Sequence, residues 1–207
     1  MRLKESAKEF SSLKSLVAMA MLLALRLALG FVTTIQVTEN LKIGFTIFPT
    51  TLACMMFGPI PGAVMGGAAD LLGFVLKPTG AFFPGYTLDS MVAGFIYGYS
   101  FYKREKITPV RVALTLAAVT VLVNLCMTTS WISIQYGVKD FSLFFSNSAA
   151  AWQSFFKKFQ AIFAGRAIKN ACLYPVNVVG VYLLLTAVRR VPLLRDYAKR
   201  GEQGRDL

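Results

Sequence analysis

Two carboxylates stand inside apolar stretches of this chain, Asp70 in a run that ends at Leu76 and Asp89 in a run that ends at Tyr102. A carboxylate at that depth in hydrocarbon is costly unless it is paired or faces a wet cavity, so each acid marks a candidate polar site. A short Lys-Pro-Thr-Gly…Pro-Gly connection joins the two runs. Two apolar helices with a polar turn and two buried acids predict a membrane protein that holds a polar solute.

Three cations, Arg26, Arg166 and Lys169, also lie within apolar runs. With six spans and a cytoplasmic amino terminus, all three fall in the outer half of the membrane, where an unneutralised charge is expensive. Snorkelling to the interface would explain Arg166, and pairing with the two acids would explain the deeper Arg26 and Lys169. We predict a mixed arrangement, in which the acids partly neutralise the cations and the excess positive charge receives a carboxylate-bearing solute.

Aromatic and amide side chains border the same region. Phe82, Phe83 and Tyr86 stand at the polar connection, and Trp131 ends the fifth apolar run. A belt of aromatic residues is common at a membrane interface, but the position beside the acids favours a stacking surface for a planar ring. Asn170 adjoins one of the cations, and its amide is the best placed to read donors and acceptors on a ligand.

Missing residue types exclude several classes of protein. The chain has no histidine and 3 cysteines, each isolated in an apolar run, so the sequence predicts no metal site. Its serines and threonines have no neighbouring base, which argues against an enzyme that uses a nucleophile. We therefore expect no catalytic residue, no metal and no cofactor.

The composition indicates a bilayer protein. Of 207 residues 56% are hydrophobic and 15% charged, and the mean hydropathy is +0.57, which leaves too little polar surface for a soluble domain. The net charge of +12 does not indicate nucleic acid, because the lysines and arginines cluster at the ends of apolar runs, as cytoplasmic segments do. We expect a multi-pass protein of the cell membrane, with the lipid bilayer as its surroundings.

A spanning helix needs about 20 largely apolar residues, and six runs are candidates: 13–32, 44–57, 62–76, 86–102, 110–131 and 159–188. The sequence therefore predicts an all-α membrane protein, one domain over residues 1–207 with six transmembrane helices, short basic tails and both termini cytoplasmic. The second and third runs are short, so they either end inside the protein or are extended by turns that line a cavity. The connections 33–43, 77–85 and 132–158 are predicted to be external loops.

Small residues recur every four positions in three runs: Ala20, Ala24 and Ala28 in the first, Gly62 and Gly66 in the third, and Gly94 and Gly98 in the fourth. Such spacing lets helix backbones approach closely in lipid. We predict that the glycine pairs pack the bundle internally. The alanine stripe fits internal packing and docking to a separate membrane subunit equally well.

The stretch 58–88, GPIPGAVMGGAADLLGFVLKPTGAFFPGYTL, carries a family resemblance. It resembles the most recognisable block of the substrate-binding S components of energy-coupling factor (ECF) vitamin transporters, and is most similar to the folate-specific members. The resemblance implies a membrane subunit that captures a vitamin at the outer face. It also implies partners, a transmembrane coupling protein and two cytoplasmic ATPases, and a docking role for the alanine stripe.

Folate suits these side chains, because it combines a flat pterin, an aromatic linker and a glutamate tail with two carboxylates. The expected contacts are Arg26, Arg166 and Lys169 for carboxylates, Phe82, Tyr86 and Trp131 for stacking, and Asp70, Asp89 or Asn170 for the pterin edge. Two alternatives stay open. One is an S component for another vitamin such as riboflavin, which would leave the cations unused. The other is a stand-alone secondary carrier, although such carriers usually show repeated halves.

Overall fold

The computed structural model describes residues 6–7, 9–32, 35–38, 41–43, 45–78, 82–104, 107–137 and 149–190. The predicted basic tails fall largely outside these residues. The helices are α1 (Leu13–Val32), α2 (Ile47–Phe57), α3 (Pro59–Leu76), α4 (Pro84–Phe101), α5 (Pro109–Ala118), α6 (Thr128–Gly137) and α7 (Ala149–Arg190). A π-helical segment, Val119–Met127, joins α5 to α6 without a break, and a 3-10 turn, Glu9–Ser11, precedes α1.

Within the described residues, four helical segments are long and apolar enough to cross a membrane: Leu13–Phe31, Pro59–Leu76, Pro109–Ile134 and Phe159–Arg190. α2 is apolar but has 11 residues, which agrees with the short second run of the sequence, and α4 has 18 residues. A helical membrane bundle is therefore confirmed. The number of six spans and the cytoplasmic position of the termini stay predictions.

A small β-hairpin accompanies the helices between α1 and α2. Strand β1 (Ile35–Thr38) pairs in antiparallel fashion with β2 (Leu41–Ile43), and Ile35 lies opposite Ile43. Isoleucine, valine and threonine are typical strand residues, which explains why this part of the predicted loop is extended and paired.

The last connection differs from its prediction. The sequence favours a loop over 132–158, whereas α6 continues to Gly137 and α7 begins at Ala149. The first residues of α7, AAAWQSFFKK, include neither glycine nor proline, and alanine, glutamine and lysine are good helix formers. At 42 residues α7 is longer than one bilayer crossing requires. Its first turns therefore precede the apolar segment that begins at Phe159.

Glycines bring α3 and α4 together with their backbones almost in contact. A Cβ atom on Gly62 would lie 2.8 Å from the carbonyl oxygen of Gly94, and a Cβ atom on Gly94 would overlap the carbonyl oxygen of Gly62. Gly66 and Gly98 meet the facing backbone in the same way. The predicted internal packing of the glycine pairs is confirmed, because no larger side chain fits between the two backbones.

A tight turn at Gly58 joins α2 to α3. Gly58 has a φ of 94°, a conformation that is open to glycine and rare for other residues. The buried Ser6 hydroxyl donates to the carbonyl of Phe57 at 3.0 Å and accepts from the N–H of Ile60 at 3.2 Å. The amino-terminal segment thus satisfies backbone groups that the two helix ends leave free.

Candidate ligand-binding site

Asp89 lies on the second turn of α4 and is 6% exposed. Its Oδ2 accepts a hydrogen bond from the Thr128 hydroxyl at 2.6 Å, and its Oδ1 accepts one from Trp131 Nε1 at 2.9 Å. Hydrogen bonds of these lengths to a carboxylate are among the stronger ones in proteins. Two side chains of α6 therefore compensate the burial of this acid.

Asp70 on α3 is held by a different side chain of α4. The Thr87 hydroxyl donates to Asp70 Oδ2 at 2.7 Å, which links α3 to the first turn of α4. Arg26 on α1 lies within electrostatic range of Asp70. Asp89 is also within electrostatic range of Asp70. The two acids and their hydrogen-bond donors form one polar region, the two-acid site, to which α1, α3, α4 and α6 contribute.

Arg166 approaches the two-acid site from α7. It lies within electrostatic range of Asp89 and Tyr86, and among the described residues its Nε is buried without a hydrogen-bond partner. A buried donor without an acceptor is costly, so this guanidinium would gain from an acceptor that a ligand brings. Arg26 thus lies within electrostatic range of Asp70 and Arg166 within range of Asp89, and the mutual neutralisation stays a prediction.

The aromatic contacts centre on Phe83, directly before α4. The centroid of its ring lies 5.7 Å from that of Trp131 and 5.8 Å from that of Tyr86, within the range of favourable aromatic pairs. Phe82 instead contacts Phe74 of α3, at a centroid distance of 5.2 Å. Two of the three rings expected to stack on a ligand, Tyr86 and Trp131, are therefore brought together, and Phe82 packs elsewhere.

Lys169 and Asn170 are half-buried on α7, three and four residues after Arg166. Residues at these spacings share one face of a helix. Lys169 and Asn170 therefore lie on the same face of α7 as Arg166. Lys169 and Asn170 stay predicted ligand contacts.

Two side chains of the site are not among the residues predicted from the sequence: Thr87 and Thr128, which supply hydrogen bonds to the acids. Phe83, predicted only as part of an aromatic surface, supplies the ring contact with Trp131. Thr128 stands 39 residues from Asp89 in sequence, so no local spacing links the two. For Phe83 a signal is present, because it adjoins Phe82, but helix packing decides which of the two rings meets the indole.

The alanine stripe faces away from the bundle. Ala20, Ala24 and Ala28 are all exposed on α1, and the large side chains of Val17 and Met21 beside them are 52% and 69% exposed. Internal packing therefore does not explain the stripe, and an exposed apolar face with small residues remains on α1.

Comparison with known proteins identifies the family. The family described as "ECF transporter, substrate-specific component" matches residues 14–185. The folate transporter FolT of Clostridium novyi is 32% identical over 184 residues, which cover 89% of this chain and 95% of the relative. FolT of Leuconostoc mesenteroides is 27% identical over 172 residues, covering 83% of this chain and 84% of the relative.

A solved structure agrees with these relatives. The crystal structure of FolT bound with folic acid matches with a TM-score of 0.67 and 34% identity, over 87% of this chain and 95% of that chain. The family consists of transporter components and not of enzymes. This chain is thus a multi-pass cell-membrane protein that belongs to the substrate-specific components of ECF transporters.

Proposed function

We propose that this protein is the folate-binding subunit of an ECF-type importer. It has six spans with both termini in the cytoplasm, captures folate at the outer face, and delivers it through a transmembrane coupling protein and two cytoplasmic ATPases. The observation that carries the proposal is the similarity, at 34% identity over 87% of this chain, to the structure of FolT bound with folic acid.

The charges of the site support an anionic ligand. Arg26 and Arg166 each have one acid within electrostatic range, and Lys169 on the same helix face as Arg166 adds a third cation. Cations in this region suit the carboxylates of a glutamate tail. They disfavour thiamine, which is itself a cation.

The aromatic side chains support a flat ring system. Phe83, Tyr86 and Trp131 lie together at the start of α4 and on α6, next to the carboxylates. A ring that stacks on this group would place its polar edge near Asp70 and its partner Thr87. Apolar walls with a few convergent polar groups are the usual design of a small-molecule site.

Folate binding by the purified protein alone is the first expected result. We expect the detergent-purified chain to bind one folate without ATP or partner subunits, and to bind riboflavin and thiamine at least about 100-fold more weakly, a difference of about 2.7 kcal/mol. Isothermal titration calorimetry with the three vitamins measures this. Preference for riboflavin would replace the proposed cargo, and binding of none of the three would refute capture by this chain alone.

Arg26→Ala is expected to weaken folate binding about 10- to 100-fold, because a hydrogen-bonded charge pair with a carboxylate contributes about 1.5–3 kcal/mol. Lys14→Ala is the matched control, since Lys14 is an exposed cation on the same helix and its removal leaves the site intact. A pterin without the benzoate and glutamate carboxylates, such as 6-methylpterin, should bind wild type and Arg26→Ala almost equally. Folate affinities that are the same in the Arg26 and Lys14 variants would remove Arg26 from the site.

A further inference from the structure

We infer that Asp89 is a positioning residue: it holds the indole of Trp131 in place as a fixed wall of the ligand site, and the indole, not Asp89, contacts the ligand. The ligand class, a flat heteroaromatic ring, rests on the proposed function. This role differs from the prediction made from the sequence, in which Asp89 itself contacts the pterin edge of the ligand.

Asp89 accepts its hydrogen bonds from side chains of the protein itself. Each carboxylate oxygen already accepts one hydrogen bond, from Thr128 at 2.6 Å and from Trp131 at 2.9 Å. With 6% of its surface exposed, Asp89 has little open surface to offer a ligand. Asp70, by contrast, is half-buried, and Thr87 donates to its Oδ2, so it is the better candidate to read a ligand edge.

Trp131 is held from three directions. Asp89 binds its ring nitrogen, and the ring of Phe83 lies at a centroid distance of 5.7 Å. A Cβ atom on Gly85 would lie 2.7 Å from Trp131 Cδ2 and 2.8 Å from Cγ, so the backbone of α4 packs directly against the indole. Trp131 is still half-buried and not fully buried. Its remaining surface is thus available in one orientation, which lowers the entropy cost of ligand stacking.

The π-helical segment explains how α6 presents both donors to Asp89. Thr128 and Trp131 are three residues apart and share one face of α6, directly after the segment Val119–Met127. The Thr128 hydroxyl also lies 3.0 Å from the carbonyl oxygen of Val123, five residues earlier, a spacing that the wider turn allows. Such turns occur often at functional sites. Here the turn sets the rotation of α6 so that two donors converge on one carboxylate.

Substitutions at Asp89 separate positioning from direct contact. The chain has 2 tryptophans. In a Trp152→Phe background Trp131 is the one that is left, so the indole spectrum reports on Trp131 alone. Asp89→Asn keeps an acceptor for the indole N–H, so we expect folate affinity within about threefold of wild type, whereas Asp89→Ala is expected to lose about 10- to 100-fold. Trp131→Phe keeps an aromatic ring but loses the donor and part of the ring surface. In the Asp89→Ala background it should cause a smaller loss of folate affinity than in wild type, because the hydrogen bond between Asp89 and the indole is already absent there.

A measurement without ligand tests the same inference independently of the cargo. The indole N–H band in ultraviolet resonance Raman spectra of the ligand-free protein should show a hydrogen-bonded indole in wild type and Asp89→Asn, and a weaker bond in Asp89→Ala. An unchanged band in Asp89→Ala would overturn the inference, and so would equal losses of folate affinity in Asp89→Asn and Asp89→Ala. Wild-type protein with no folate binding would refute the proposed function, and the Raman comparison would still decide whether Asp89 positions the indole.

Discussion

Gly94→Ala is expected to destabilise the bundle severely. The added methyl group would overlap the carbonyl oxygen of Gly62, so α3 and α4 would have to separate along the interface that the Thr87–Asp70 hydrogen bond crosses. Overpacking against a backbone that has no room to move costs about 3 kcal/mol or more. We expect a fall of about 6–12 °C in the thermal midpoint of the detergent-purified protein, measured by fluorescence-detected size-exclusion chromatography after heating.

Gly165→Ala is the matched control for this change. Gly165 also lies inside a helix, α7, but a Cβ atom there would meet nothing within 4 Å. Alanine is the better helix former by up to about 1 kcal/mol, so the control should be neutral or slightly more stable than wild type. Equal thermal midpoints for the two variants would contradict the close backbone contact of α3 and α4.

Ala24→Trp is expected to abolish folate uptake by cells while the purified protein still binds folate. Ala24 is the central residue of the exposed stripe on α1, and a tryptophan there would hold a docked helix away from α1, since small residues are what permit close approach in lipid. No residue of the two-acid site lies on this face. Uptake of labelled folate by cells that also express the coupling protein and ATPases, compared with calorimetry on the purified variant, measures both effects.

Val179→Trp on α7 provides the comparison for a lipid-facing position. Val179 is 57% exposed, so its replacement places the same introduced side chain on the outer surface of α7. We expect normal uptake and normal binding for this variant. If the Ala24 and Val179 variants transported folate equally well, α1 would not be the docking surface. If Ala24→Trp lost folate binding, the alanine stripe would instead be needed for packing within the bundle.

The sequence by itself determined the class of the protein and most of its helices. Hydropathy is a property of each segment alone, so the apolar runs, the short second run and the acids within them follow from the order of residue types. Glycine spacing in the runs of α3 and α4 predicted a close internal contact, because small residues four positions apart let two helix backbones approach closely in lipid. The block 58–88 was enough to suggest the family to which the chain belongs.

Only the tertiary structure decided which side chains meet. Asp89 is joined to Thr128 and Trp131 across 39 and 42 residues of sequence, and those contacts depend on how far each helix is rotated about its axis. The π-helical segment changes that rotation. A search of the sequence for hydrophobic residues with the α-helical period of 3.6 does not detect such a segment. The outward direction of the alanine stripe likewise follows from helix packing. Segment composition determines that a helix forms, whereas its partners determine which face becomes the site.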